Sequence, residues 1–265
     1  MGRKTMRELA IAVSVESKKF FRSKVPLITM LALLMIPFVG GLFMYILKDP
    51  DNARNMGIIS AKAQLAGAAD WPSFFGLIAQ AISIGGLMAF GFVTSWIFGR
   101  EFSDRTIKDL LALPILREYI VMAKFIVVFI WCLLLSVLVF LLALGVGYLV
   151  DIPGYSAEIL KQGANVFFVC SVMTLLLSAP VGFFATIGKG YLSPLGYIII
   201  TMMIAQIIAT TGYGQYVPWS IPALASGIDG SGEIAVEPVS YAIVLVTSVA
   251  GLLATALWWR WADQG

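Results

Sequence analysis

The densest chemistry in this 265-residue chain lies between Gly99 and Lys124, where nine of its 33 charged side chains fall. Ser103 or Asp104 is placed to cap a short helix whose apolar face is Ile107, Leu110 and Leu111, and Pro114 should end it. An amphipathic turn of this kind is either a docking surface for a soluble partner or a loop helix resting on a membrane. Recognition chemistry of this sort depends on charge pairing and apolar knobs, not on bond making.

Bond-making chemistry finds little support elsewhere. The chain has no histidine, which removes Ser–His nucleophiles, histidine metal sites and histidine proton relays together. Cys132 and Cys170 sit in apolar runs and read as packing residues. Two acidic groups, Asp49 with Asp51 and Asp229 with Glu233 and Glu237, match no metal-ligand spacing and read as solvated loop charges. A phosphate-cradling loop needs glycines leading into Gly-Lys-Ser/Thr. Gly188-Lys189-Gly190 is too short for that, is followed by Tyr191, and reads as a connection between two helices. Any uphill transport must therefore draw its energy from another chain. No metal or cofactor is expected here.

The elements that must position the charged segment are membrane spans. Sixty per cent of the residues are apolar and 12 per cent charged, against about 25 per cent charged in soluble domains; the mean hydropathy is +0.92. Six runs approach or exceed the roughly 20 residues a bilayer requires: Val25–Leu47, Phe74–Phe98, Phe125–Val150, Ala164–Ile187, Pro194–Thr211 and Tyr241–Trp259. None contains an ionisable Asp, Glu, Lys or Arg. Such runs exclude an outer-membrane barrel, whose strands are about 10 residues of alternating polarity. The first run is too long, and too far from the start, for a cleaved leader. With both termini inside, 14 of the 18 Lys and Arg residues fall on the cytoplasmic side. The expected fold is an all-α, six-span, single-domain membrane protein with both ends cytoplasmic.

Residues 5–24 form a patterned prelude. Met6, Leu9, Val13 and Phe20 recur at helical spacing among basic residues, as in an amphipathic helix on the inner surface; a solvated basic tail is the alternative. Gly40, Gly41, Gly85, Gly86, Gly91, Gly145 and Gly147 mark close helix packing, and Pro37 and Pro180 mark potential kinks. Gln80 and Gln206, the strongly polar side chains well inside spans, either line a path or pair in packing. Spans free of charge argue against proton coupling and less strongly against sodium coupling.

Two segments carry a resemblance. Glu101, Thr106, Leu110, Leu111 and Pro114, followed by Arg117, resemble the first cytoplasmic loop of type-2 ABC exporter permeases, which has a Glu just after span two, then a Thr, a helix with paired leucines and a Pro. Arg105 stands where those loops often have Gly, and Leu116 where a Ser often precedes the basic residue. Pro218-Trp-Ser-Ile-Pro-Ala-Leu-Ala-Ser226, within the 212–240 loop, resembles their short outer re-entrant element. The similarity runs over essentially the whole chain and is nearest to bacitracin- and lantibiotic-resistance permeases.

That resemblance implies a permease subunit in the plasma membrane of a prokaryotic cell, with no catalytic site of its own. It implies two permease copies, as a homodimer or with a related permease, and two copies of a cytoplasmic ATPase that binds ATP and Mg. In the 99–124 loop it makes Glu101, Phe102, Asp104, Arg105, Thr106, Ile107, Leu110, Leu111, Pro114 and Arg117 the coupling surface. It makes Pro218, Trp219, Ile221 and Pro222 an outer gate. The spans, lacking buried charge, suit an amphipathic, lipid-like or peptide cargo. Export of a small sulfur species or ion for metalloenzyme maturation is an alternative, as are an ATP-independent sodium-coupled or facilitative carrier and a scaffold that only recruits a partner.

Overall fold

The computed structural model describes residues 2–48, 68–111, 116–227 and 236–261, and all regular structure among them is helical. In chain order the helices are α1 (Gly2–Phe21), α2 (Val25–Leu47), α3 (Trp71–Ser103), α4 (Ile107–Leu111), α5 (Arg117–Leu149), α6 (Ala157–Leu176), α7 (Ala179–Ile187), α8 (Leu192–Ala209), α9 (Ile221–Leu224) and α10 (Pro238–Trp261). A single 3-10 turn, Gly214–Tyr216, precedes α9. Six stretches are long and apolar enough to cross a membrane: α2, α3, α5, α6 with α7, α8 and α10.

Local signals set the helix starts. The Asp70 carboxylate accepts a hydrogen bond from the Ser73 amide at 3.0 Å and caps α3, with Pro72 in the first turn where no amide partner is required. Ser156 caps α6 in the same way through Ile159. The fourth apolar run is not one unbroken helix. It parts at Leu177–Ser178, because Pro180 offers no amide to the preceding turn and the Ser178 hydroxyl donates instead to the Leu175 carbonyl at 2.7 Å.

α3 is the central element. It touches α2, α5, α6, α7, α8 and α9, and buries Phe74, Ile78, Phe90 and Phe98 completely. The outward faces of the spans stay apolar, with Leu31, Phe38, Ile130, Leu141, Ile207 and Leu253 all more than half exposed, as lipid requires and water forbids. α3 and α5 have 33 residues each, about 50 Å of helix against a hydrocarbon core near 30 Å. They therefore overrun the apolar runs. The expectation of charge-free spans holds for the runs but not for the helices: Arg100 and Glu101 lie in α3, and Arg117, Glu118 and Lys124 in α5.

Glycines set several helix distances. A Cβ on Gly147 would collide with the Trp71 ring and one on Gly41 with Val146, and one on Gly91 would lie 2.5 Å from Ile198. Gly145 faces open space and Gly85 meets only an ordinary contact, so these two do not serve close packing. Gly251, unmarked in the sequence reading, lets α10 approach the backbone of Pro180, whose nitrogen would lie 2.5 Å from an added Cβ.

Candidate functional site

α1 does more than lie alongside the bundle. Phe20 is fully buried and meets Trp131 of α5 and Trp96 of α3 edge-on, with ring centroids 5.5 and 5.9 Å apart. The Trp131 indole donates to the Thr29 hydroxyl at 3.2 Å, tying α2 into the same corner. The inward stripe of α1 includes Ala12, Glu16 and Phe20, whereas Met6, expected on the apolar face, is 73 per cent exposed. A carboxylate thus sits inside the apolar stripe.

Glu16 is there to meet Lys124. The Lys124 ammonium is fully buried (0 per cent exposed) and all three of its protons are used. It donates to Glu16 Oε2 at 3.0 Å, to Glu101 Oε2 at 2.9 Å and to the Ile97 carbonyl at 2.8 Å. Lys19 closes the ring from the solvent side, 2.9 Å from Glu16 Oε1 and 3.2 Å from Glu101 Oε1. Two acids and two bases alternate around a neutral ring that joins α1, α3 and α5. A buried charge is tolerable only when paired and hydrogen-bonded in this way. The charge-free character of the apolar runs therefore stops at their borders, where Glu101 and Lys124 are buried just outside them.

Glu101 also fixes the start of the loop. α3 ends with Arg105 in the left-handed conformation, φ 57°. The Thr106 amide bonds back to the Glu101 carbonyl at 2.9 Å and the Arg105 amide to the Phe102 carbonyl at 3.2 Å. The residue whose carboxylate anchors the ring therefore holds α4 through its carbonyl. The left-handed φ gives the physical reason that glycine suits this position in loops of this kind.

The other sequence-derived loop residues divide by exposure. Asp104, Arg105 and Thr106 are exposed, as are Lys108 and Asp109. Ile107 is buried, Leu110 is half-buried against the core, and Phe102 lies edge-on to Trp259 with ring centroids 6.4 Å apart. Arg117 stands away from the ring and donates to the Trp259 carbonyl at 3.3 Å, while Arg260 pairs with Glu118 at 3.4 Å. Leu111 closes α4; Pro114 lies outside the described residues. Gly99 faces the 188–190 turn, where the Gly190 carbonyl oxygen would stand 2.9 Å from an added Cβ. Beside it, burial raises the Tyr191 phenol above its usual pKa, with a hydrogen bond to Ser103 pulling the other way.

At the opposite end, α9 is wedged between α3 and α6. Ile221 and Pro222 are buried, and the Ser83 hydroxyl of α3 donates to the Pro222 carbonyl at 2.9 Å. Trp219 meets Tyr197 edge-on at 5.8 Å, its indole nitrogen buried with no hydrogen-bond partner among the described residues; Pro218 is half-buried. Gln80 lines a groove of about 390 Å³ between α2 and α3; Gln206 is exposed on α8 and is not part of that lining. Of the acidic loop groups, only Glu237 lies within the described residues.

Glu16 and Lys124 escaped the sequence reading. The signal was present: Glu16 stands four residues after Ala12 and four before Phe20, and Lys124 four after Ile120 and four before Val128, so both fall on buried stripes.

A bundle of six apolar spans with a charged loop between the second and third defines a polytopic membrane protein; Asp104, expected to cap α4, instead holds Arg100 at 3.1 Å, and comparison with known proteins gives the family. Residues 12–207 match the ABC-2 family transporter protein family, and the chain belongs to it. A similar curated protein is the bacitracin transport permease protein BCRB of Bacillus licheniformis, 29 per cent identical over 181 residues, which cover 67 per cent of this chain and 85 per cent of that protein. The chain is thus a multi-pass plasma-membrane permease of the ABC type, a transport component from a family whose permeases carry no ATPase site and no cofactor of their own.

Proposed function

We propose that this permease exports an amphipathic peptide or lipid-like cargo, driven by a separate cytoplasmic ATPase, with two permease copies and two ATPase copies in the working complex. The observation that carries the reading is the double attachment of Glu101. Its carbonyl holds the turn into α4, and its carboxylate holds α1 and α5 through Lys19 and Lys124. A push on α4 from an ATPase reaches three helices through one residue, which suits a rigid-body shift of packed elements. The exposed edge formed by Asp104, Arg105, Thr106, Lys108 and Asp109 is the docking surface, with Ile107 and Leu110 seating α4 on its own bundle.

The cargo class is supported by the relative's stated substrate, bacitracin, and by the groove between α2 and α3, where Gln80 is the one polar side chain among those lining it. The segment from Pro218 to Pro222 acts as the outer seal, held by Ser83.

The test is purification of the tagged chain from its native membrane in mild detergent, with protein identification, stoichiometry and ATP hydrolysis measured with and without bacitracin. An ABC ATPase at one copy per permease, with hydrolysis stimulated by the peptide, is the expected result. A chain that purifies without an ATPase in several detergents and still moves cargo would overturn the reading.

A further inference from the structure

A cavity of roughly 530 Å³ opens between α1 and the end of α3. Its volume is within the range of about 300–1,000 Å³ typical of small-ligand sites. Four bases, Lys18, Lys19, Arg22 and Arg100, line it against one acid, Asp104. The acid is already used: Asp104 Oδ2 holds the Arg100 guanidinium at 3.1 Å, which also lies over the Trp96 ring at 5.0 Å. Arg100 is thereby fixed in place. Lys19 is committed on its far side to Glu16 and Glu101. Lys18 in the last turn of α1 and Arg22, just past its end and bonded through its amide to the Lys18 carbonyl at 3.2 Å, are exposed and have no ion-pair partner among the described residues. Two like charges at that spacing repel. The mouth therefore carries a net positive charge that no side chain among the described residues neutralises.

Its position says what would neutralise it. The cavity lies where α1 ends and the first apolar run begins at Val25, the level at which lipid phosphates meet a span. Phe21, Leu27, Ile28 and Leu31, all about half or more exposed, continue from the end of α1 along α2. A soluble anion would use the bases and leave that apolar track unused.

We propose that this cavity binds the phosphate of an anionic glycerophospholipid, whose acyl chains run along α2. Lys18, Arg22 and the pre-oriented Arg100 hold the phosphate, and Trp96 provides the wall at the base of the headgroup. The site borders the proposed docking edge at Asp104, but the two bases it rests on, Lys18 and Arg22, are not part of that edge.

Delipidated protein is titrated with phosphatidylglycerol or phosphatidylcholine of matched chains, and bound lipid is counted by native mass spectrometry. The wild type is expected to keep one phosphatidylglycerol, and Lys18→Gln/Arg22→Gln to bind it about tenfold more weakly. Lys108→Gln/Arg260→Gln, which removes two exposed bases outside the cavity, is expected to keep it. Equal retention by wild type and the Lys18/Arg22 variant overturns the proposal. Glycerol 1-phosphate is then offered to wild type in phosphatidylcholine nanodiscs; binding as tight as that of phosphatidylglycerol would assign the site to a soluble phosphate and overturn the lipid reading. A second measurement needs no charge variant. Phosphatidylglycerol brominated in its acyl chains should quench tryptophan emission in wild type, and the quenched component should be missing in Trp96→Phe. Identical quenching in both overturns the placement.

Discussion

The Lys124 ammonium and the Glu101 carboxylate lie 2.9 Å apart in a part of the molecule where Lys124 is fully buried, although neither residue stands in an apolar run. The pair links the last turn of α3 to the second turn of α5, and Glu16 and Lys19 extend it to α1. Removing one partner of such a pair leaves an uncompensated buried charge, at a cost of about 3–5 kcal/mol. Lys124→Met should therefore lower the thermal unfolding midpoint sharply in detergent. Glu101→Gln/Lys124→Met, which leaves Glu16 to pair with Lys19, should recover part of the loss. Additive losses in the double variant would show that the two side chains act separately.

Arg105 in the left-handed region invites a simple substitution. A non-glycine residue there costs roughly 1–2 kcal/mol, partly offset by the greater freedom glycine has in the unfolded chain. Arg105→Gly should raise the unfolding midpoint slightly and Arg105→Val should lower it. The order Gly above Arg above Val is the expected outcome; any other order would show that the Arg105 side chain, and not its backbone, controls the end of α3.

How much of this was readable beforehand depends on the scale of the interaction. The spans were legible because 20 consecutive apolar residues have few alternatives in water. Val25–Leu47 coincides with a helix, but the other helices depart from their runs, because a helix ends where its caps and prolines permit and not where hydropathy falls. Glu101, Thr106 and the α4 leucines were legible as a pattern. The ring was not, because it joins residues 108 and 23 positions apart, and scanning for apolar runs assigned Lys124 to a loop. The break at Leu177–Ser178 was legible only as a proline that could bend a helix.

Gly145 and Gly147 show the same limit at two neighbouring positions. Both read as small packing residues in one helix, yet an added Cβ meets nothing at Gly145 and the Trp71 ring at Gly147. Gly145→Ala should be neutral or add about 0.5–1 kcal/mol through helix propensity. Gly147→Ala should cost about 1–3 kcal/mol through overpacking, since Trp71 is itself buried among Phe74, Phe75 and Tyr148. The two midpoints, measured in one detergent, check the pair; equal shifts would mean that Trp71 moves aside freely.

α4 permits stability and docking to be separated. Ile107 is 7 per cent exposed, whereas Lys108 and Asp109 beside it face outward. Ile107→Ala removes buried methyl groups and should cost about 2–5 kcal/mol if the site cannot collapse. Its effect on transport would then report on folding. Lys108→Glu/Asp109→Lys keeps the net charge and touches no buried contact, so stability should stay within about 0.5 kcal/mol. If α4 docks an ATPase through its outward edge, this reversal should remove the co-purifying ATPase and peptide-stimulated hydrolysis while leaving the unfolding midpoint unchanged. If the ATPase stays bound and stimulation persists, the outward edge is not the docking surface, and contact must come from elsewhere on the cytoplasmic side. The clean comparison is ATPase stoichiometry against unfolding midpoint for the two variants. A docking edge predicts that they separate, with Ile107→Ala losing stability and the charge reversal losing the partner.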